Sequence, residues 1–168
     1  MKVLIVRVGA LGDVLHALPA VAALRRARPD WTIDWVVDPR WSPLLVDSDG
    51  KGPIVNRVHL AETKLWSRAP LSPATLRSIR ALRKDLRAQH YDLVVDMQGT
   101  LRSGVISRMT GAPQRVGYSD PRESLAARLY TKKITRRWVH VVLQSAALLE
   151  EACGIELTPV DVSFPREE

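Results

Sequence analysis

"KVLIV" at residues 2–6 runs straight into "RVGALGDVLHALPA" at residues 7–20. A nearly continuous β-branched and leucine run is what a strand buried on both faces requires. Behind it a small-residue turn gives way to Val14, Leu15, Leu18, Val21, Ala22 and Leu24. That spacing predicts a helix from Asp13 to Arg28, stopped by Pro29. Strand, glycine turn and helix in this order form the repeating unit of open parallel sheets.

The alternation continues along the chain. "WTIDWVVD" (31–38) reads as a second strand closed by Pro39, "SDGKG" (48–52) as a turn cluster, and "IVNRVHL" (54–60) as a third strand. Residues 61–73 read as a loop carrying Lys64, Trp66 and Arg68. Leu76, Ile79, Leu82 and Leu86 then predict a helix from Pro73 to Gln89, with Arg77, Arg80, Arg83, Lys84 and Arg87 on its other face. "DLVVDMQG" (92–99) is a fourth strand, Leu101 to Met109 a helix, and "QRVGYS" (114–119) a fifth strand. Further helices are expected over 123–131 and from Trp138 to Ala152, with Gly154 as the cap. The expected fold class is α/β, a Rossmann-like parallel sheet with helices on both faces, forming one domain over residues 1–154. Proline-punctuated residues 155–168 read as the start of a linker to something that follows. Ligands in such sheets gather at the carboxyl ends of strands. Here those ends are 8–13, 38–42, 60–70 and 97–104.

With 46% hydrophobic and 26% charged residues, the 168-residue chain has the composition of a soluble globular domain, not a disordered one. "MKVLIV" lacks a cleavage-site pattern and no apolar stretch nears the roughly 20 residues of a membrane span. A cytoplasmic protein is expected, at most peripheral on a membrane. One cysteine, Cys153, excludes an internal disulfide and a cysteine-based zinc site, and its apolar setting marks it as a packed side chain. Twenty-five Lys and Arg against eighteen Asp and Glu give a net charge of +7. An arginine-rich surface suits phosphate or carboxylate, whether on nucleic acid, anionic lipid or an acidic sugar.

Asp13 is the first candidate. A carboxylate there is explained by the helix macrodipole alone, or by a general base set beside Gly9 and Gly12, where a substrate approaches closely. His16 lies one turn on, placed to orient Asp13 or simply to pack. Nothing is spaced with it as a metal site, so no metal is expected. The turn of "DMQGTLRSG" (96–104) offers Gly99 and Thr100 N–H groups to an anion. In "DPRES" (120–124), Arg122 at a helix start is unfavourable for the dipole and calls for an anionic partner. "KKITRRW" (132–138) reads as a surface stripe, suited to an acidic membrane face if it is more than solvated charge.

Taken together, "MKVLIVRVGALGDVLHALPA", "IDWVVD", "YDLVVDMQGTLRSG" and "RESLAARLY" resemble the N-terminal half of the lipopolysaccharide heptosyltransferases, among the family 9 glycosyltransferases. The resemblance implies the GT-B architecture, two Rossmann-like domains with the active site between them. The N-terminal domain would hold the acceptor, the Kdo sugar on lipid A. A C-terminal domain lying outside these residues would hold the donor, ADP-L-glycero-D-manno-heptose, so this chain alone would bind acceptor without turnover. The implied reaction inverts the anomeric centre and needs no metal or cofactor. Asp13 becomes the base; Gly9, Gly12, His16, Gln98 and Gly99 line the acceptor; Arg122, Lys64 and Arg68 face its anionic groups. An anionic membrane surface is a compatible partner and nucleic acid is not an expected one. Two rival readings stay open: a family 9 transferase with a different acceptor, and a Rossmann dinucleotide-binding domain using Asp34 or Asp38 on the ribose. The absent third glycine speaks against the latter.

Overall fold

The computed structural model describes residues 1–45, 54–137 and 140–158. Six strands, β1 (Lys2–Val6), β2 (Thr32–Val37), β3 (Arg57–Leu60), β4 (Leu93–Asp96), β5 (Gln114–Tyr118) and β6 (Lys132–Ile134), form one sheet in the order β3-β2-β1-β4-β5-β6. Every pairing is parallel, with Val6 opposite Val36 on one side and Asp96 on the other. The chain order reverses between β1 and β4, which opens a crevice at their carboxyl ends.

Strand alternation sends β1 into two cores. Val3 and Ile5 pack with Leu18, Val21, Leu24, Trp35, Leu148 and Leu149 under α1 (Leu11–Ala27) and α5 (Val141–Cys153). Leu4 and Val6 pack with Leu82, Leu86, Val94 and Ile106 under α3 (Pro73–Ala88) and α4 (Leu101–Met109). Helices therefore cover both faces, as expected. Ser72 caps α3 through the Thr75 N–H, and a Thr100–Ser103 capping box starts α4. Gly154 closes α5 in the left-handed conformation at φ 69°.

Several boundaries differ from the sequence reading. Residues 61–73 are not all loop: Thr63–Arg68 form a short helix, α2, because Trp66 turns inward and its Nε1 donates to Ser78 Oγ at 3.1 Å. Trp66 is thus a core residue. The third strand is confined to Arg57–Leu60; at Asn56 the side chain takes the Ile33 N–H at 2.8 Å, while the Asn56 backbone N–H donates to the Ile33 carbonyl at 2.7 Å. The expected helix at 123–131 is a 3-10 helix over Ser124–Leu129. Part of the surface stripe is β6, whose short edge pairs with β5. The turn cluster at 48–52 and most of the proposed linker lie outside the described residues.

A close contact inside β5 bears on the site. A Cβ on Gly117 would fall 2.3 Å from the Tyr130 ring. Gly117→Ala should therefore destabilise the fold by about 2–3 kcal/mol through overpacking, read as a lowered urea midpoint. Gly12→Ala, where a Cβ meets nothing within 4 Å, should leave the midpoint nearly unchanged.

Candidate functional site

The sequence "KVLIVRV" puts an arginine where β1 leaves the sheet, and Arg7 stays inside. Its side chain is 8% exposed, with Nη2 3.0 Å from Asp13 Oδ1. Nε donates to the Asp13 carbonyl at 3.3 Å, and Nη1 donates to the Met97 carbonyl. Burial lowers the Arg7 pKa, and the negative charge of Asp13 opposes that shift. Asp13, in the first turn of α1, carries a second guanidinium: Arg122 Nη2 lies 2.9 Å from Oδ2 and 3.0 Å from Oδ1. Macrodipole compensation alone does not account for this arrangement, because two arginines, from positions 7 and 122, both hold the carboxylate.

Asp96, fully buried at the end of β4, orders the facing turn. It accepts the N–H groups of Gln98 (2.9 Å) and Gly99 (3.1 Å), and the hydroxyls of Ser103 (2.8 Å) and Tyr130 (2.7 Å). Burial pushes its carboxyl above the ordinary value, against the pull of those donors. With the turn fixed, Gln98 Oε1 accepts from Val8 N (3.2 Å) and Gly9 N (3.3 Å), tying the two turns together. Gly99 takes φ 72°, and a Cβ there would press on Pro121 and the Arg122 backbone at 3.2–3.4 Å. Glu123 N donates to Gly99 O at 3.0 Å, and Glu123 Oε2 accepts the Leu101 N–H at 2.8 Å. The segment bearing Arg122 is thereby pinned beside Asp13.

Two cavities result. One, of about 130 Å³, is lined by Arg7, Asp13, Gln98, Gly99, Tyr118, Arg122 and Arg136 among others. Three guanidinium groups face a single carboxylate among its described lining residues. Arg136 reaches it by packing over the Tyr118 ring, 4.1 Å from the centroid. Burial raises the Tyr118 hydroxyl to about 12, so it stays a neutral donor. The second, of about 260 Å³, draws on all four strand-end segments expected to meet ligand, through Val8, Gly9, Ala10, Asp38, Arg40, Thr63, Gln98, Thr100, Arg102 and Ser103. Gln98 lines both.

Asp13, Gln98, Gly99 and Arg122 come together, and Gly9 borders the second cavity. His16 is exposed and lines neither cavity. Lys64 and Arg68 sit exposed on α2, outside both; Thr63 and Arg102 occupy the wall instead. Arg7 and Arg136 were not singled out from the sequence. A charged residue inside an otherwise apolar strand run was the available signal for Arg7. Arg136 gave none, since it lies in a run of surface-type charges.

The two carboxylates of the dinucleotide reading are both engaged within the fold. Asp34 is buried, bound by Tyr91 OH at 2.6 Å, with His59 Nε2 2.8 Å from that hydroxyl. Burial pushes the Asp34 carboxyl up, but hydrogen bonding to His59 and Tyr91 outweighs it and holds the group below its ordinary value. Asp38 is gripped by Arg40 through Nε (2.8 Å) and Nη2 (3.1 Å) and by the Thr63 hydroxyl (3.1 Å). Hydrogen bonding from Arg40 holds its carboxyl low. Cys153 is half-buried, and burial raises its thiol to about 12, in keeping with a packing role. No described helix is long and apolar enough to cross a membrane. Among the described residues no cluster of three or more His, Cys, Asp or Glu is placed to hold a metal.

The unequal burial of the two arginines predicts unequal costs. Arg7→Met should lower stability by about 3 kcal/mol, because it leaves Asp13 and the Met97 carbonyl without their buried partner. Arg122→Gln, at a side chain 54% exposed, should cost under about 1 kcal/mol. Chemical denaturation of the two variants reads the difference.

Comparison with known proteins places this geometry. The chain is 33% identical over 163 residues to lipopolysaccharide heptosyltransferase 1 of Escherichia coli K12, covering 92% of this chain and 48% of that protein. It is 32% identical over 166 residues to lipopolysaccharide heptosyltransferase 1 of Pseudomonas aeruginosa, covering 94% and 44%. The solved E. coli heptosyltransferase WaaC with ADP matches with a TM-score of 0.84 at 29% identity, over 96% of this chain and 50% of that one. A family 9 glycosyl transferase from Veillonella parvula matches with a TM-score of 0.73 at 18% identity, over 99% and 45%, a likeness of fold. The chain thus spans about half the length of the curated relatives it matches. The profile of glycosyltransferase family 9 (heptosyltransferase) matches residues 79–167, and the chain belongs to that family.

Proposed function

We propose that this chain is the acceptor-binding half of an inverting GT-B heptosyltransferase and that Asp13 is its general base. The observation that carries the reading is the small cavity at the sheet's switch point where Arg7 and Arg122 hold the Asp13 carboxylate and Arg136, paired with Asp120, lines the same wall. Such a site attracts an anion and sets a base beside it. An acidic sugar fits both demands. Its carboxylate meets the arginines, and a hydroxyl of the same ring meets Asp13.

The acceptor is read as the Kdo region of a lipid A-linked inner core, in line with the lipopolysaccharide named for the relatives. The donor is ADP-heptose; E. coli heptosyltransferase WaaC has been solved with ADP-2-deoxy-2-fluoro heptose. In the transfer step the acceptor hydroxyl oxygen attacks the anomeric carbon, and its proton passes to Asp13. The bond to the diphosphate breaks on the opposite face, and the leaving ADP carries away the electron pair. One displacement with one base inverts the centre. This chain's residues bind and orient the acceptor and accept the proton. No metal or resident cofactor has a role in this step. Stabilising the leaving diphosphate falls to the donor half. The setting is the cytoplasm or the inner face of the inner membrane, where exposed Lys132, Lys133 and Arg137 suit anionic headgroups.

Calorimetric titration of the chain tests the reading. A soluble, phosphorylated Kdo-bearing acceptor should bind and ADP should not; ADP binding without acceptor binding would overturn the assignment. In a two-domain transferase carrying this half, Asp13→Asn should lower kcat by at least about 100-fold without weakening acceptor binding. A kcat left within a few-fold of the parent would remove Asp13 as the base.

A further inference from the structure

Asp13 is claimed twice: Oδ1 accepts from two guanidinium groups and Oδ2 from one, so a substrate hydroxyl meets an acceptor already largely occupied. Arg7 lies 3.0 Å from Oδ1, and Arg122 lies 2.9 Å from Oδ2 and 3.0 Å from Oδ1. Withdrawal of one of them gives a substrate hydroxyl the whole of one oxygen. Arg7 is not free to withdraw. It is 8% exposed, it also donates to the Asp13 and Met97 carbonyls, and its own carbonyl accepts Trp35 Nε1 at 3.0 Å. Arg122 is 54% exposed, and among the described residues its guanidinium hydrogen-bonds only to Asp13. Its backbone is anchored by the Gly99–Glu123 contact, so a change of side-chain rotamer moves the guanidinium without moving the turn.

We propose that Arg122 is an exchangeable counter-ion. In the free protein it sits on Asp13. The carboxylate of an acidic sugar draws it off, and Oδ2 is released to that sugar's hydroxyl while Arg7 remains on Oδ1. The exchange swaps one carboxylate partner for another. Arg7 and Arg136 add positive charge to the cavity, so the incoming anion meets attraction. Recognition and activation become one event, because a neutral sugar leaves Asp13 locked. Arg7 acts as a positioning residue that keeps the carboxylate aimed once Arg122 has gone. The proposal rests on the reading of Asp13 and Arg122 given under the proposed function.

The test uses calorimetry on this chain with two probes, free Kdo and its methyl ester, which lacks the charge. If Asp13 competes with the ligand for Arg122, Asp13→Asn removes the competitor, and Kdo should bind about 5-fold tighter than to the parent. Ester binding should not change. Arg122→Gln should lose the preference for Kdo over the ester, and adding Asp13→Asn to it should give no tightening. Arg7→Lys, which keeps the charge but gives up the fork of bonds to Asp13 and Met97, should leave the preference for Kdo over the ester intact even where both bind more weakly. Kdo binding that Asp13→Asn weakens or leaves unchanged overturns the exchange while the acceptor reading stands. Loss of that preference in Arg7→Lys to the extent seen in Arg122→Gln overturns the division of roles. Absence of Kdo binding in the parent and in Asp13→Asn overturns the acceptor reading itself, and the exchange falls with it.

Discussion

The buried Asp96 carboxylate is the point from which the site is built. A charge at the end of a central parallel strand is costly to bury unless its lone pairs are filled. Two N–H groups of its own turn and the hydroxyls of Ser103 and Tyr130 fill them. Satisfying that carboxylate fixes the turn after β4, anchors the start of α4 through Ser103, and brings Tyr130 across the sheet edge. Gly117 is the corollary, since only a residue without a Cβ lets the Tyr130 ring lie there. Gln98 then clasps the first turn, and Gly99 leaves room for the Arg122 backbone. One desolvated charge thus governs groups as far apart in sequence as Val8 and Tyr130.

Charge balance separates this site from the phosphate cradle that its strand–turn–helix opening suggests. A nucleotide-binding turn offers free N–H groups at a helix N-terminus. Here the Val8 and Gly9 N–H groups are taken by Gln98, and the α1 terminus carries Asp13, which repels a phosphate. The anion-seeking groups are side chains instead: Arg7, Arg122 and Arg136. Side-chain cations beside a carboxylate stand where a dinucleotide site has backbone donors. That is a different chemistry from dinucleotide binding on a sheet of the same strand order.

Much of the fold was legible because its signals are local. Buried β-branched runs, helix-spaced leucines and Gly154 after α5 each report on their own few residues. The elements that escaped are those with little local signal. β6 is three residues of "KKI", readable as surface charge until β5 is beside it. α2 is six residues whose helicity depends on Trp66 finding Ser78. The site followed the same division. Asp13, Gln98, Gly99 and Arg122 stood out through their turns and a family resemblance and line one cavity, whereas His16 on α1 and Lys64 and Arg68 on α2 are exposed outside it.

The sequence by itself determined the α/β class and the approximate span of most elements, because hydrophobic period and turn chemistry act over a few neighbours; the family entered through the resemblance of four motifs. Only the tertiary structure decided which charges meet. Arg7 and Asp13 are six positions apart, but Arg122 comes from 109 positions away and Met97 from 90. Nothing along the chain encodes such pairings except through the packing that closes the sheet. Ion-pair energy depends on separation and burial, and both exist only once the strands are in register.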